Sequence, residues 1–276
     1  MDVFLVDYPK PWLLFWIAVL VAHGYMDFSF YRKWSGWARG IKQSLPAGNS
    51  RWRAFLLWGA EVLLQRQLFG LSPFRWLAHI LIFWGFVGLA LLSLCTFILK
   101  PAEYLGIGGI WTHFFLRGEG YPLVKIWGDA CGLALLLGLV LAGIRRFVIR
   151  PPQQSNNQMD FFLLLLLFWL TLSGFVLEGL RLSLVPYETA RYSFIGQYFV
   201  FPGNYTVEQL GPWLTAAWIA HAFSVVGFLV YLPHSKMMHS ILAPLVIALN
   251  ALEEQKREDI YWPDIKKYRA TKSPGD

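Results

Sequence analysis

Residues Phe74 to Leu99 read FRWLAHILIFWGFVGLALLSLCTFIL. As a helix rising 1.5 Å per residue this run is about 39 Å long, more than the roughly 30 Å of a bilayer's hydrocarbon core. Arg75 stands at its mouth and His79 about one helical turn further in. Four similar runs accompany it: Pro11–Tyr31, Leu123–Ile144, Phe161–Leu180 and Trp213–Leu232. Breakers separate them, namely Lys100-Pro101, Pro122, Pro151-Pro152, Pro202-Gly203 and Gly211-Pro212. The runs are continuously apolar rather than alternating, which argues against a closed barrel. The expected fold is all-α: a polytopic membrane protein of five transmembrane helices, with helices two to five forming a bundle.

Composition points the same way. Of the 276 residues, 56% are hydrophobic, 17% aromatic and only 15% charged, against about 25% charged in a soluble domain. Two cysteines, Cys95 and Cys131, both lie in apolar runs. They exclude a disulfide framework, a cysteine-ligated iron–sulfur cluster and a C-x-x-C-H haem attachment in this chain. Asp2 and Asp7 stand where a signal peptide carries basic residues, so no cleavable signal is expected.

The formal charge of +7 reads as an orientation signal rather than a nucleic-acid footprint. Eighteen of the 24 Lys and Arg fall on one side of the membrane: the loop from Arg32 to Arg66, Arg75, Arg145 to Arg150, and the tail from Lys236 to Lys272. Lys10, Lys100, Arg117, Arg181 and Arg191 lie on the other, and Lys125 just inside the third span. Basic loops stay in the cytoplasm. The N-terminus is therefore expected outside and the C-terminus inside, in the cytoplasmic membrane of a prokaryote. Residues 1–250 form the membrane domain, and residues 251–276 a polar cytoplasmic tail. Within the domain, Trp52–Phe69 mixes Leu and Phe with Arg53, Glu61, Arg66 and Gln67. That pattern suits an amphipathic helix on the inner surface or against a partner protein.

Ionisable residues inside a bilayer are costly and usually functional. His221 and His239 are 18 residues apart, five whole turns or about 27 Å on an uninterrupted helix, though Pro233 between them can bend the axis and makes the alignment approximate. His239 lies at the inner end of span five, at the depth of His79. Two neutral imidazoles at one depth on separate helices can ligate haem iron axially. Gly85 and Gly88 would let a flat porphyrin approach the backbone of span two, and Gly227 that of span five. The spacing leaves a second reading open. A membrane histidine can simply hydrogen-bond a neighbouring helix, and membrane glycines often serve helix packing.

Trp218-Ile219-Ala220-His221 through Leu232-Pro233-His234-Ser235-Lys236-Met237-Met238-His239, followed by Ala243-Pro244, resembles the last span of the respiratory nitrate reductase gamma-subunit family of membrane cytochromes b. The stretch Phe74–Phe86, preceded by Leu63-Leu64-Gln65-Arg66, resembles a subgroup of it. That subgroup is the membrane subunit of heterodisulfide reductase-like menaquinone complexes, including those linked to dissimilatory sulfite reduction. The resemblance implies haem b between His79 and His239 near the inner face; Arg75 and Lys236 lie near that depth and are candidates to pair with its propionates. It also implies an outer haem b using His221. The family places a second histidine ten residues after the first in span two, and here that position is Leu89. His23 in span one, within about 6 Å of His221 in depth, is the preferred partner. His113 in the outer loop is another, and a single-haem protein with His221 bonding quinone is a third reading. His234 is expected to face solvent or a partner.

The family also implicates a lysine near the start of span three in quinol binding. Lys125 and Asp129, one turn apart on one face, are therefore the candidate menaquinone site; the other reading is that Lys125 snorkels and pairs with Asp129. Glu178 and Arg181 at the outer end of span four read as an ion pair or as contacts to quinone or propionate. The implied activity is electron transfer between menaquinol and a cytoplasmic iron–sulfur subunit with cysteine-rich CCG domains of heterodisulfide reductase type. Other membrane or periplasmic redox subunits are compatible with it. The rival class is a proton-coupled transporter without haem, which usually shows inverted repeats not seen here.

Overall fold

The structure is a computed structural model that describes residues 9–41, 58–116, 118–150, 158–184, 191–240, 242–244 and 246–247. Five helices are long and apolar enough to cross a membrane. They are α1 (Pro9–Ile41), α2 (Pro73–Tyr104), α3 (Tyr121–Ile144), α4 (Gln158–Leu184) and α5 (Val207–Tyr231). No strand occurs among the described residues. Each helix outruns its apolar stretch, because backbone hydrogen bonding continues past the hydrocarbon boundary. α2 runs through Pro101 in its last turn and α5 through Pro212 near its start, although both prolines were expected to be breaks. A proline close to a helix end removes one internal bond and leaves the rest intact. The expected tail, residues 251–276, lies outside the described residues.

The chain divides into two compact units. The first takes the described parts of Met1–Leu20 and Pro73–Phe228. Within it α2 and α3 pack most closely. A Cβ on Gly85 would stand 2.5 Å from the Leu135 nitrogen, and one on Gly138 would stand 2.8 Å from the Ile82 nitrogen. Residue 85 thus faces 135 while residue 138 faces 82, so the two helices run antiparallel. A Cβ on Gly88 would collide with Cys131 Sγ, and Trp127 Nε1 donates to the Gly88 carbonyl at 3.0 Å. These contacts correct the expectation that Gly85 and Gly88 make room for a porphyrin. The space beside them is filled by α3, and the glycines serve close backbone packing. Gly85→Ala is expected to destabilise the bundle by about 1–3 kcal/mol through overpacking, read as a lower Tm in detergent.

α4 meets α3 where Phe175 Cζ comes within 2.7 Å of a Cβ built on Gly132. α5 meets α4 through Trp169 Nε1, which donates to Ser224 Oγ at 2.9 Å. Phe86 and Phe228, with centroids 5.8 Å apart, close α5 back onto α2. Helices two to five therefore pack in a ring, a particular form of the bundle expected from the sequence. Leu180, Leu210 and Leu214 form its buried cluster at one end. Phe15 of α1 packs edge-on to Trp218 at 5.0 Å. Many large apolar side chains remain uncovered, Leu94 and Ile98 among them, as suits a surface solvated by lipid.

The second unit takes the described parts of Val21–Ser72 and Leu229–Asp276. The expected amphipathic helix over Trp52–Phe69 is corrected in its described part. A helical piece at 58–63 is separated from Arg66–Leu71 by Gln65 in the left-handed conformation (φ 52°). Gln67 gives its N–H to Glu61 Oε2 at 3.2 Å across the break. Trp58 Nε1 donates to the Pro244 carbonyl at 2.7 Å and anchors the segment.

Candidate functional site

A charged network occupies the ends of α3 and α4 that the basic-residue bias assigns to the outside. α3 starts at Tyr121 with Pro122 in its first turn, which leaves Lys125 one turn inside. Lys125 Nζ donates to both oxygens of Glu178, at 2.8 and 3.0 Å. Arg181 donates to the same oxygens from Nε at 3.0 Å and Nη2 at 2.7 Å. Ser193 Oγ adds a third donor at 2.9 Å. Glu178 is thus the hub, shared by two cations and a hydroxyl. Asp129 accepts instead from the backbone N–H of Ile195 (2.6 Å) and Gly196 (3.1 Å). Two acids and two bases balance, which makes so many ionisable groups tolerable in a bilayer.

The segment that supplies Ser193 is held tightly to α4. Phe199 stacks on Phe175 at 5.5 Å with its ring nearly parallel. A Cβ on Gly179 would collide with the Phe199 carbonyl oxygen, and one on Gly196 would stand 2.6 Å from Glu178 Cγ. Only glycine permits either approach. Ser183 Oγ accepts the Phe201 N–H at 2.9 Å. Asp129 therefore docks this connection rather than pairing with Lys125.

His221, half-buried on α5, lies 2.8 Å through Nδ1 from Ser173 Oγ of α4. Ser173 Oγ also reaches the Leu170 carbonyl at 3.2 Å; with the hydroxyl proton directed there, its oxygen would accept the Nδ1 proton. The neutral ring then carries its lone pair on Nε2, the arrangement that suits a metal-ligating imidazole.

His239 sits after a break in α5. The helix ends at Tyr231, Leu232–His234 is a 3-10 turn, Ser235 is extended (φ −91°, ψ 169°), and Lys236–Met238 is a second 3-10 turn. The axis from His221 to His239 is thus broken around Pro233, where the sequence allowed a bend. Pro233 has no N–H to give the preceding turn. Ser235 Oγ takes over, donating to the Leu232 carbonyl at 2.9 Å and accepting the Met237 N–H at 3.1 Å. His239 Nδ1 donates to the Lys236 carbonyl, which can only accept. Its lone pair too stands on Nε2. His234 Nε2 hydrogen-bonds the Tyr25 hydroxyl at 2.8 Å, a partner the sequence reading missed.

Each of these imidazoles is a donor of the kind that would hold haem iron. Among the described residues no three His, Cys, Asp or Glu gather to hold a bare metal ion. His79 lies half-buried in the second turn of α2, and Arg75 one turn before it is exposed. Lys236 is exposed within the turn that leads to His239. His23 is half-buried in α1, and His113 is exposed on a short helix, Gly109–Leu116. Sequence reasoning missed Ser193 and Ser173. The second had a signal, as one of few polar side chains in the leucine-rich run of α4.

Fold and site together define a multi-pass, all-helical membrane protein that sets imidazoles and a balanced charge network within the bilayer. The chain belongs to the HdrE family, the E subunits of dihydromethanophenazine:CoB--CoM heterodisulfide reductase, whose model matches residues 56–247. It is similar to the HdrE protein from Methanosarcina barkeri, at 28% identity over 222 residues, covering 80% of this chain and 74% of the relative. The relative from Methanosarcina mazei is 26% identical over 224 residues, covering 80% and 75%. That from Methanosarcina thermophila is 27% identical over 215 residues, covering 78% and 72%. No solved structure matches. The matched stretch contains His79, His221 and His239, whereas His23 precedes it. The heterodisulfide reductase side of the expected resemblance is the one these matches support.

Proposed function

We propose that this chain is the b-type cytochrome subunit of a heterodisulfide reductase-like complex, carrying electrons between a membrane-confined redox carrier and an iron–sulfur subunit in the cytoplasm. The observation that carries the reading is that His221 and His239 each engage a neighbouring oxygen through Nδ1, in a family named for part of an oxidoreductase. With the proton on Nδ1, Nε2 is the nitrogen that would meet iron. His79 and His239 would hold an inner haem b, and His221 with His23 an outer one. Haem supplies one-electron transfer between the two faces when bound. The basic inner loops are the docking surface for the partner, for which CCG domains of heterodisulfide reductase type are the expected form.

The carrier is proposed to be menaquinone. The relatives are named for dihydromethanophenazine, another apolar two-electron, two-proton carrier, and the same site chemistry serves either. Lys125 Nζ, oriented by both Glu178 oxygens, is the donor for a ring oxygen or nitrogen of the carrier. Glu178 is the adjoining base. Asp129 fixes the connection that closes over them.

The purified protein is expected to be red, with a b-type alpha band in the reduced-minus-oxidised spectrum. A colourless preparation that takes up no haem would instead favour the transporter class. Lys125→Ala is expected to keep the haem spectrum while slowing reduction by menaquinol or a reduced phenazine by about 10²-fold, the scale of one lost proton-transfer group. Unchanged reduction kinetics would remove Lys125 from the site.

A further inference from the structure

Helix ends leave carbonyls that need donors. Where α5 breaks, the Met237 N–H is taken by Ser235 Oγ, so it does not reach back to the Pro233 carbonyl. Pro233 is fully buried, and Ser235, Met237 and Met238 are nearly so. A buried carbonyl without a partner is expensive. The side chain that satisfies it comes from 200 residues away. Lys33 Nζ, near the inner end of α1, donates to the Pro233 oxygen and also lies 3.6 Å from Met238 Sδ. One ammonium therefore joins the 3-10 turn that follows α5 to the residue just before His239. Its charge also complements the negative end of the α5 dipole. Two turns earlier on α1, Tyr25 holds His234 at 2.8 Å.

We infer that Lys33 is a positioning residue for His239: it clamps the Pro233–Met238 turn and so sets the orientation of the His239 ring. The inference rests on the reading of His239 as a haem ligand. As an ammonium, Lys33 has no lone pair to offer iron. Its action runs through two contacts to the backbone and side chain that lead into the ligand. His239 opens the helical stretch that follows the break, so the path of the Pro233–Met238 turn sets the angle at which its imidazole is presented, and the clamp holds that turn.

The test uses the full chain in native membranes or in its complex. Lys33→Met keeps the length and removes charge and donors, whereas Lys33→Arg keeps both. Low-temperature EPR of the oxidised haem reads the mutual orientation of the axial imidazoles, which a general loss of stability would not move. The expected result is a displaced or broadened low-field signal for one haem in Lys33→Met, restoration toward wild type in Lys33→Arg, and amide exchange over residues 234–240 faster by about tenfold or more. Should Lys33→Met fail to accumulate, Lys33→Gln carries the same expectation. EPR and exchange superimposable on wild type would overturn the inference. His239→Leu separates the two readings. If it keeps all haem, the ligand reading fails, and exchange over 234–240 in Lys33→Met still decides whether Lys33 orders the turn.

Discussion

Replacing His239 with leucine is expected to remove one b haem, and replacing His79 to remove the same one. Pyridine haemochrome content would fall to about half in a two-haem protein, and to nothing in a one-haem protein. Leucine suits this test because it is apolar and membrane-compatible, so the loss reports the missing imidazole and not an unpaired polar group. His239 is exposed on its turn and holds the Lys236 carbonyl through Nδ1, so its replacement costs the turn a local hydrogen bond. The haem loses an axial bond, a far larger change. Iron left with one axial imidazole would also become high-spin, visible in the same spectra if haem is retained. Both variants keeping full, low-spin haem would show that this pair is not the ligand set.

Glu178→Leu has the second large effect. Lys125 and Arg181 are only 16% and 14% exposed at the side chain, and Glu178 is the partner of both. Deleting it leaves two cations facing each other in a low-dielectric site. Breaking a buried pair in this way costs roughly 3–5 kcal/mol. Ser193 loses its acceptor as well, which loosens the connection that Asp129 and Gly179 hold in place. Tm in detergent should fall clearly, and carrier oxidation should be lost even where haem remains. Glu178→Gln, which keeps an acceptor, should be milder. Removing Lys125 together with Glu178 should recover part of the stability, because contacting residues are not additive. A Glu178→Leu protein with wild-type Tm would show that the network is looser than these distances imply.

The matter of which helices cross the membrane was legible because it is a local property. Hydropathy summed over one run decides it, and all five runs became helices. That helices two to five would form a bundle was also expected, but not their order around it. The role of Gly85 and Gly88 was not legible. A glycine shows only that something comes close, and whether that is a cofactor or a neighbouring backbone depends on the face it presents. Lys125 and Asp129, one turn apart, looked like one site, yet each took a different partner.

The amino-acid sequence by itself determined the all-helical class, the spans, the side that carries the basic loops, and the set of ionisable groups placed within the bilayer. Tertiary structure alone decided the partners: Glu178 for Lys125 across 53 residues, Ser173 for His221 across 48, and Lys33 for Pro233 across 200. The reason is physical. Burial in lipid is settled residue by residue along a helix, whereas a hydrogen bond between helices depends on their rotation and register. Those are fixed only when the close glycine contacts and the aromatic pairs have packed.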